Sequence, residues 1–215
     1  INTYGADTAR LFMLSDSPPE RDLDWTDSGI EGAWRYINRL WKLVNQLSKQ
    51  IGPPGSKEPK NMAEQANKLK ARIHKTIFSV TSDIEKFHFN KAVARIRELT
   101  NDIEQLRSRK LETVWVIRFG LETLTKLINP MMPHLAEELW VCLGYKTLLA
   151  DIPWPEADPL FLEEELATVA VQVNGKLRGT IEVLKSQNEK ETEKLALSLP
   201  AIKSNIDTKK IHKII

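Results

Sequence analysis

Apolar residues return every three or four positions through four successive stretches of this 215-residue chain, and that repeat restricts the fold more than any other feature. The first stretch follows Ile30, Ala33, Trp34, Ile37, Leu40, Trp41, Val44 and Leu47 to about Lys49, behind Ser28-Gly29-Ile30-Glu31 with capping-box spacing. The second uses Ala66, Leu69, Ile73, Ile77, Val80, Ile84 and Phe87, with Asn61 and Glu64 as its expected cap. Phe89-Asn90 turns into the third, capped by Asn90, which buries Val93, Ile96, Leu99, Ile103 and Leu106. The fourth runs from about Glu112 to Ile128 and stops at Asn129-Pro130, after which Pro133 starts a shorter helix through Trp140. Four long amphipathic helices with short connections imply a mainly α fold built as an antiparallel bundle. Trp34 and Trp41, in phase with Ile37 and Val44, are expected in its core. A short helix over residues 6–14, ended by Pro18-Pro19, precedes the bundle, and Gly52-Pro53-Pro54-Gly55 opens a flexible linker inside it.

The end of the chain changes period. Val169, Val171 and Val173 alternate before Asn174-Gly175, and Leu177, Ile181 and Val183 alternate after it. Period-two alternation around Asn-Gly signals a β-hairpin. Its parity is unusual, because a two-residue turn would set Val173 opposite Lys176. Pairing Val173 with Leu177 preserves one apolar face and requires an odd-length loop or a bulge. Lys176 is then expected at the tip and Arg178 on the polar face beside Gln172. A helix over Glu189–Leu199, with Leu195 and Leu199 inward, and a last strand through Ile211, Ile214 and Ile215 complete a small α+β module. It has few apolar residues of its own.

The chain opens on Ile1 without a Met, so it is expected to be a piece of a larger protein whose small module lacks its closing strand. No apolar run reaches the length of a bilayer span, and the single Cys142 cannot form an intramolecular disulfide, which fits a reducing compartment. Cys142 lies in an apolar stretch and is expected to be a buried, inert thiol. The net charge of +2 is unevenly spread: residues 151–167 hold six acids and no base, leaving 31 bases against 23 acids elsewhere. Such an excess permits binding to a polyanion without requiring it. His74, His88, His134 and His212 have no metal-ligand spacing, no glycine-rich phosphate loop occurs, and Glu137 and Glu138 suit a helix N-terminus. These residues alone describe a binding module without catalytic or metal residues.

Three groups of residues carry a family likeness. Tyr4-Gly5-Ala6-Asp7-Thr8-Ala9-Arg10-Leu11-Phe12, Pro18-Pro19-Glu20 and Asp24-Trp25-Thr26-Asp27-Ser28-Gly29-Ile30-Glu31-Gly32 resemble the region after the KMSKS loop of bacterial-type leucyl-tRNA synthetases. Phe87-His88-Phe89-Asn90-Lys91-Ala92 and Asn129-Pro130-Met131-Met132-Pro133-His134-Leu135-Ala136-Glu137-Glu138-Leu139-Trp140 resemble that family's helical anticodon-binding domain. Trp154-Pro155 and Val171-Gln172-Val173-Asn174-Gly175-Lys176-Leu177-Arg178-Gly179 resemble the start of its C-terminal domain. The resemblance spans nearly the whole chain, although the family's HIGH and KMSKS signatures and its editing insertion are not in it.

The resemblance implies four regions: 1–28 as the end of the catalytic or stem-contact region, 29–150 as the anticodon-binding bundle, 151–167 as an acidic linker, and 168–215 as a small tRNA-binding domain. It implies a monomeric, cytoplasmic parent enzyme that activates leucine with ATP and Mg and charges tRNA(Leu), with no membrane partner. No cofactor is expected in these residues, and the piece alone is expected to be inactive. Arg35, Arg39 and Lys42 share one helix stripe and, with Lys176 and Arg178, are the expected tRNA contacts. Lys68, Lys70, Arg72 and Lys75 form a looser basic cluster. Solvated, charge-bearing faces are the competing explanation for each. A valyl- or isoleucyl-type synthetase, or a non-enzymatic helical interaction module, fits the same pattern.

Overall fold

The computed structural model describes residues 2–17, 19–106, 110–162, 166–184 and 189–206, with the backbone alone at 111, 166, 167, 184 and 204–206. The periodic stretches form α1 (Ala6–Asp16), α2 (Asp27–Leu47), α3 (Glu64–Glu85), α4 (Phe89–Gln105), α5 (Leu111–Ile128) and α6 (Pro133–Cys142). The chain divides into two units, Ile1–Leu162 and Glu163–Ile215. The expected final strand lies outside the described residues.

In the first unit α3, α4 and α5 pack on one another, α2 packs on α1 and α6, and α1 also meets α4. Their shared core includes Leu11, Phe12, Leu40, Val44, Ile73, Ile77, Ile96, Leu99, Ile103, Leu121, Leu124 and Trp140, all nearly or wholly buried. Each such aliphatic side chain contributes about 1.5–3 kcal/mol by leaving water. Gly120 permits a close approach within the core: a Cβ there would stand 3.0 Å from Ile103 Cδ1 and 3.3 Å from Ile73 Cδ1.

Several local expectations are corrected. The cap of α2 is Thr26, whose hydroxyl accepts the Gly29 N–H at 3.2 Å, not Ser28. Asn61 and Asn90 do not cap; Ala63 and His88 occupy the cap positions of α3 and α4 without side-chain bonds. The buried face of α2 is centred on Ala33, Tyr36, Leu40, Leu43 and Val44, whereas Trp34 and Trp41 remain 44% and 41% exposed. Tyr36 takes the inner position because its hydroxyl meets Thr100 of α4 at 2.9 Å and the Arg97 guanidinium covers its ring at 4.5 Å. A buried phenol is tolerable when its O–H has a partner.

The Gly52–Gly55 break is not free chain. Trp115 Nε1 donates to the Ser56 carbonyl at 3.0 Å, and the buried Arg118 donates to the Gly52 carbonyl. Arg118 also donates to the Leu143 carbonyl at 2.7 Å and lies 2.8 Å from the Glu122 carboxylate. The proline-rich stretch expected as a linker likewise belongs to the first unit as far as Leu162. Trp154 Nε1 donates to Thr81 Oγ1 at 2.8 Å, and the Asp158 N–H donates to His74 Nδ1 at 3.2 Å.

The second unit is built on β1 (Leu166–Val173) paired antiparallel with β2 (Lys176–Leu184), followed by α7 (Glu189–Ser198) and α8 (Pro200–Ile206). Asn174 and Gly175 take φ of 53° and 75°, so the loop has two residues and Val173 pairs with Lys176. Positive φ at both positions matches the strand twist and favours this two-residue turn, so of the odd-length loop or bulge expected it is a bulge that occurs. The register shifts between Val171 and Gln172: Gln172 pairs with Leu177 and Val171 with Gly179, leaving Arg178 as the extra, bulged residue. The expected Val173–Leu177 pair is therefore absent, and Leu177 is 61% exposed. Beyond the bulge, Ile181 and Val183 are buried with Ile202 of α8. Leu195, expected inward, is 41% exposed.

Candidate nucleic-acid interface

The outer face of α2 is the first candidate. An open concavity of about 680 Å3 runs along it, lined by Asn38, Trp41, Lys42, Asn45, Gln46, Lys49 and Gln50. Helical spacing places Asn38, Trp41, Lys42, Asn45 and Gln46 on one stripe because positions three, four and seven apart share a face, and Lys49 and Gln50 follow in the turn past the end of α2. Asn38 and Asn45 turn their amides back to the Trp34 and Trp41 carbonyls at 2.8 and 2.9 Å. The indoles beside them stay exposed. Lys42 and Lys49 make no ion pair with a described residue. A stripe with two unneutralised ammonium groups and two exposed indoles offers phosphate attraction and a stacking surface together.

The three cations expected on α2 separate. Arg35 has only an exposed pair with Glu31 at 3.4 Å, one turn earlier. Arg39 turns away to α4, where it donates to Asn101 Oδ1 at 2.7 Å and pairs with the Glu104 carboxylate. It is thereby a tie between helices. Lys42 alone of the three is unpaired, and Lys49, seven residues on, joins it. Lys49 was within reach of the sequence: the same spacing that grouped the first three extends to it. The Lys68–Lys75 cluster is largely neutralised. Lys68 meets Glu64 at 2.6 Å, Lys70 meets Glu58 at 2.5 Å, and Arg72 bridges Glu98 at 2.7 Å and Asp102 at 3.1 Å.

The hairpin is the second candidate, within its own unit. Lys176 opens β2 next to the turn, and Arg178 occupies the bulge; both are exposed and form no ion pair with a described residue. A bulge bends its strand and re-aims the extra side chain. Arg178 follows Leu177, the register partner of Gln172, and pairs with no residue of β1 itself.

Titratable groups elsewhere are structural. His134 Nδ1 lies 2.8 Å from Asp7 Oδ1, while Asp7 Oδ2 accepts the Leu135 N–H at 2.7 Å, joining α1 to the start of α6. Burial pushes the Cys142 thiol up, with the Glu138 carboxylate adding to it; the thiol faces Asn45 Oδ1 at 3.6 Å. Burial also pushes Tyr36 up to about 12, against the Thr100 hydrogen bond and the Arg97 and Arg39 charges. Among the described residues no group of three or more His, Cys, Asp or Glu side chains could hold a metal ion, and no helix is long and apolar enough to cross a membrane.

Comparison with known proteins bears on both surfaces. A family model described as the anticodon-binding domain of tRNA ligase matches residues 66–194. Leucine–tRNA ligase of Paramagnetospirillum magneticum is 54% identical over the whole chain, which covers 25% of that protein. The same enzyme of Rhodospirillum rubrum is 52% identical over 94% of the chain, covering 23% of its length. The chain thus spans about a quarter of the curated relatives it matches. Among solved structures, the ternary LeuRS–tRNA–LeuAMS complex of Agrobacterium radiobacter K84 is similar over 98% of this chain and 27% of its own, with a TM-score of 0.67 and 27% identity.

Proposed function

The chain belongs to the tRNA-ligase family defined by this anticodon-binding domain, and from that premise we propose that it is the tRNA-gripping part of a leucine–tRNA ligase. The observation that carries this reading is the 54% identity to a leucine–tRNA ligase along all 215 residues. In the proposed enzyme, leucine is activated with ATP and Mg and transferred to tRNA(Leu), in the cytoplasm and by a monomer. The residues described here hold the RNA while that chemistry takes place on other parts of the protein.

Lys42, Lys49 and the exposed Arg35 of α2 supply phosphate contacts, and Trp41 supplies a face for a base or ribose. Lys176 and Arg178 supply a second set from the hairpin, where a guanidinium can also stack on an unpaired base. Phosphate contacts release counterions, so affinity falls with salt by a log–log slope of roughly 0.7–0.9 per contact. Titration of tRNA(Leu) against the chain at low and high salt tests this. A steep slope is expected; a flat one refutes the electrostatic grip. Aminoacylation of a tRNA mixture by the full-length protein tests the amino acid, with leucine the expected product and valine or isoleucine the refuting ones.

A further inference from the structure

We propose that His74 is a positioning residue whose neutral imidazole latches the segment Trp154–Leu162 onto α3, and whose protonation loosens that segment.

The Trp154 indole donates to Thr81 at 2.8 Å, the Asp158 N–H donates to His74 Nδ1 at 3.2 Å, and the Phe161 ring stacks on the imidazole at 4.7 Å and 8°. Trp154 and Ala157 also pack against the core, and the Lys70 ammonium lies over the Phe161 ring. The Asp158 hydrogen bond and the Phe161 stack depend on His74. Its Nδ1 can accept the Asp158 N–H only through a lone pair, which an imidazolium lacks. Protonation therefore sets two N–H groups against each other at a buried position, and an unmade bond there is costly. The Trp154 bond and the core packing of Trp154 and Ala157 have no such dependence, so the segment stays anchored there while its Asp158–Phe161 end loosens.

The charged surroundings favour the neutral ring. Lys70 on the same helix approaches Phe161, with its ammonium 4.8 Å from that ring. Glu58 from the preceding loop and Asp158 from the segment itself oppose it, but Glu58 is paired to Lys70 at 2.5 Å and Asp158 Oδ1 accepts the Leu160 N–H at 3.0 Å. From α5 the ring meets only aromatic Phe119, at 5.2 Å. Burial first, and Lys70 second, hold His74 below the usual histidine range. A group whose folded value is depressed leaves the latched state neutral while the released state takes up a proton near pH 6.5. Latching is then complete above that pH and weakens as pH falls below it. One pH unit lower, the released population has grown, by at most about tenfold.

The test uses the 215-residue chain and its His74→Gln variant. Glutamine can accept the same N–H and has no proton to gain. Amide exchange at Asp158, corrected for intrinsic rates, is read by NMR at about pH 8 and about pH 5.5. The opening constant of the parent chain is expected to rise, by at most about tenfold, and that of His74→Gln to stay level. Equal opening at both pH values in the parent chain, or an equal rise in the variant, overturns the latch.

Discussion

Replacing Lys42 and Lys49 together with glutamine, and separately replacing Arg39 with glutamine, distinguishes a cation that meets RNA from one that braces the bundle. Five cations are assigned to phosphate contact in the proposed grip: Lys42, Lys49, Lys176 and Arg178, which pair with no described residue, and Arg35, whose only described ion pair is the exposed one with Glu31. At roughly 0.7–0.9 per contact they give a log–log salt slope of about −3.5 to −4.5, or a loss of roughly 100- to 500-fold in affinity from about 50 to about 200 mM salt. The double lysine variant should reduce the slope by about 1.4–1.8 and leave the melting temperature unchanged. Arg39→Gln should do the reverse. Its guanidinium is already engaged by Glu104 and Asn101, with both charged side chains 41% exposed. A pair so open to solvent contributes about 0.2–1 kcal/mol, which is at most about 4 °C of melting temperature for a chain of this size. Fluorescence anisotropy of labelled tRNA across a salt series reads the slope, and thermal denaturation reads the stability. A slope lowered by a full unit in Arg39→Gln, or left intact in the lysine variant, refutes the assignment.

Other substitutions probe the packing beneath these surfaces. Gly29→Ala would place a Cβ 2.4 Å from Phe12 Cε2 and 2.8 Å from the capping Thr26 hydroxyl; with Phe12 buried, thermal denaturation should show a loss of about 1–3 kcal/mol. Thr100→Val strands the Tyr36 hydroxyl without its partner and should cost about 1–3 kcal/mol, more than Tyr36→Phe, which removes the stranded group as well. Tyr36 is pushed up to about 12, against about 10 in an unfolded chain. It therefore contributes stability in full below pH about 10 and loses it as pH rises toward about 12; chemical denaturation should fall off less steeply over that window in Tyr36→Phe.

The helices were legible because a 3.6-residue repeat is a local signal, and Ile73, Ile77, Ile96, Ile103 and Leu121 are buried where that repeat puts them. The phase of α2 was less so. Trp34 and Trp41 fit the repeat as well as Tyr36 does, and Thr100, the partner that selects Tyr36, is 64 residues away. Arg39 was misjudged for the same reason, since Glu104 lies on another helix. In the hairpin, Asn174-Gly175 announced the turn correctly. The compensating irregularity sits at Arg178, though, because two residues with positive φ close the loop on their own. The proline-rich acidic stretch read as a connector since His74 and Thr81, which hold it, leave no mark in its composition.

Arg118 has a bearing on how the first unit assembles. Its bond to the Gly52 carbonyl closes a loop of 66 residues, whereas its bond to Leu143 closes 25. Loop closure over the longer span costs roughly 0.9 kcal/mol more chain entropy than over the shorter one. The α2–α3 connection is thus expected to dock after α5 and α6 have met, and to detach first under stress. Limited proteolysis should accordingly nick this connection before any helix melts.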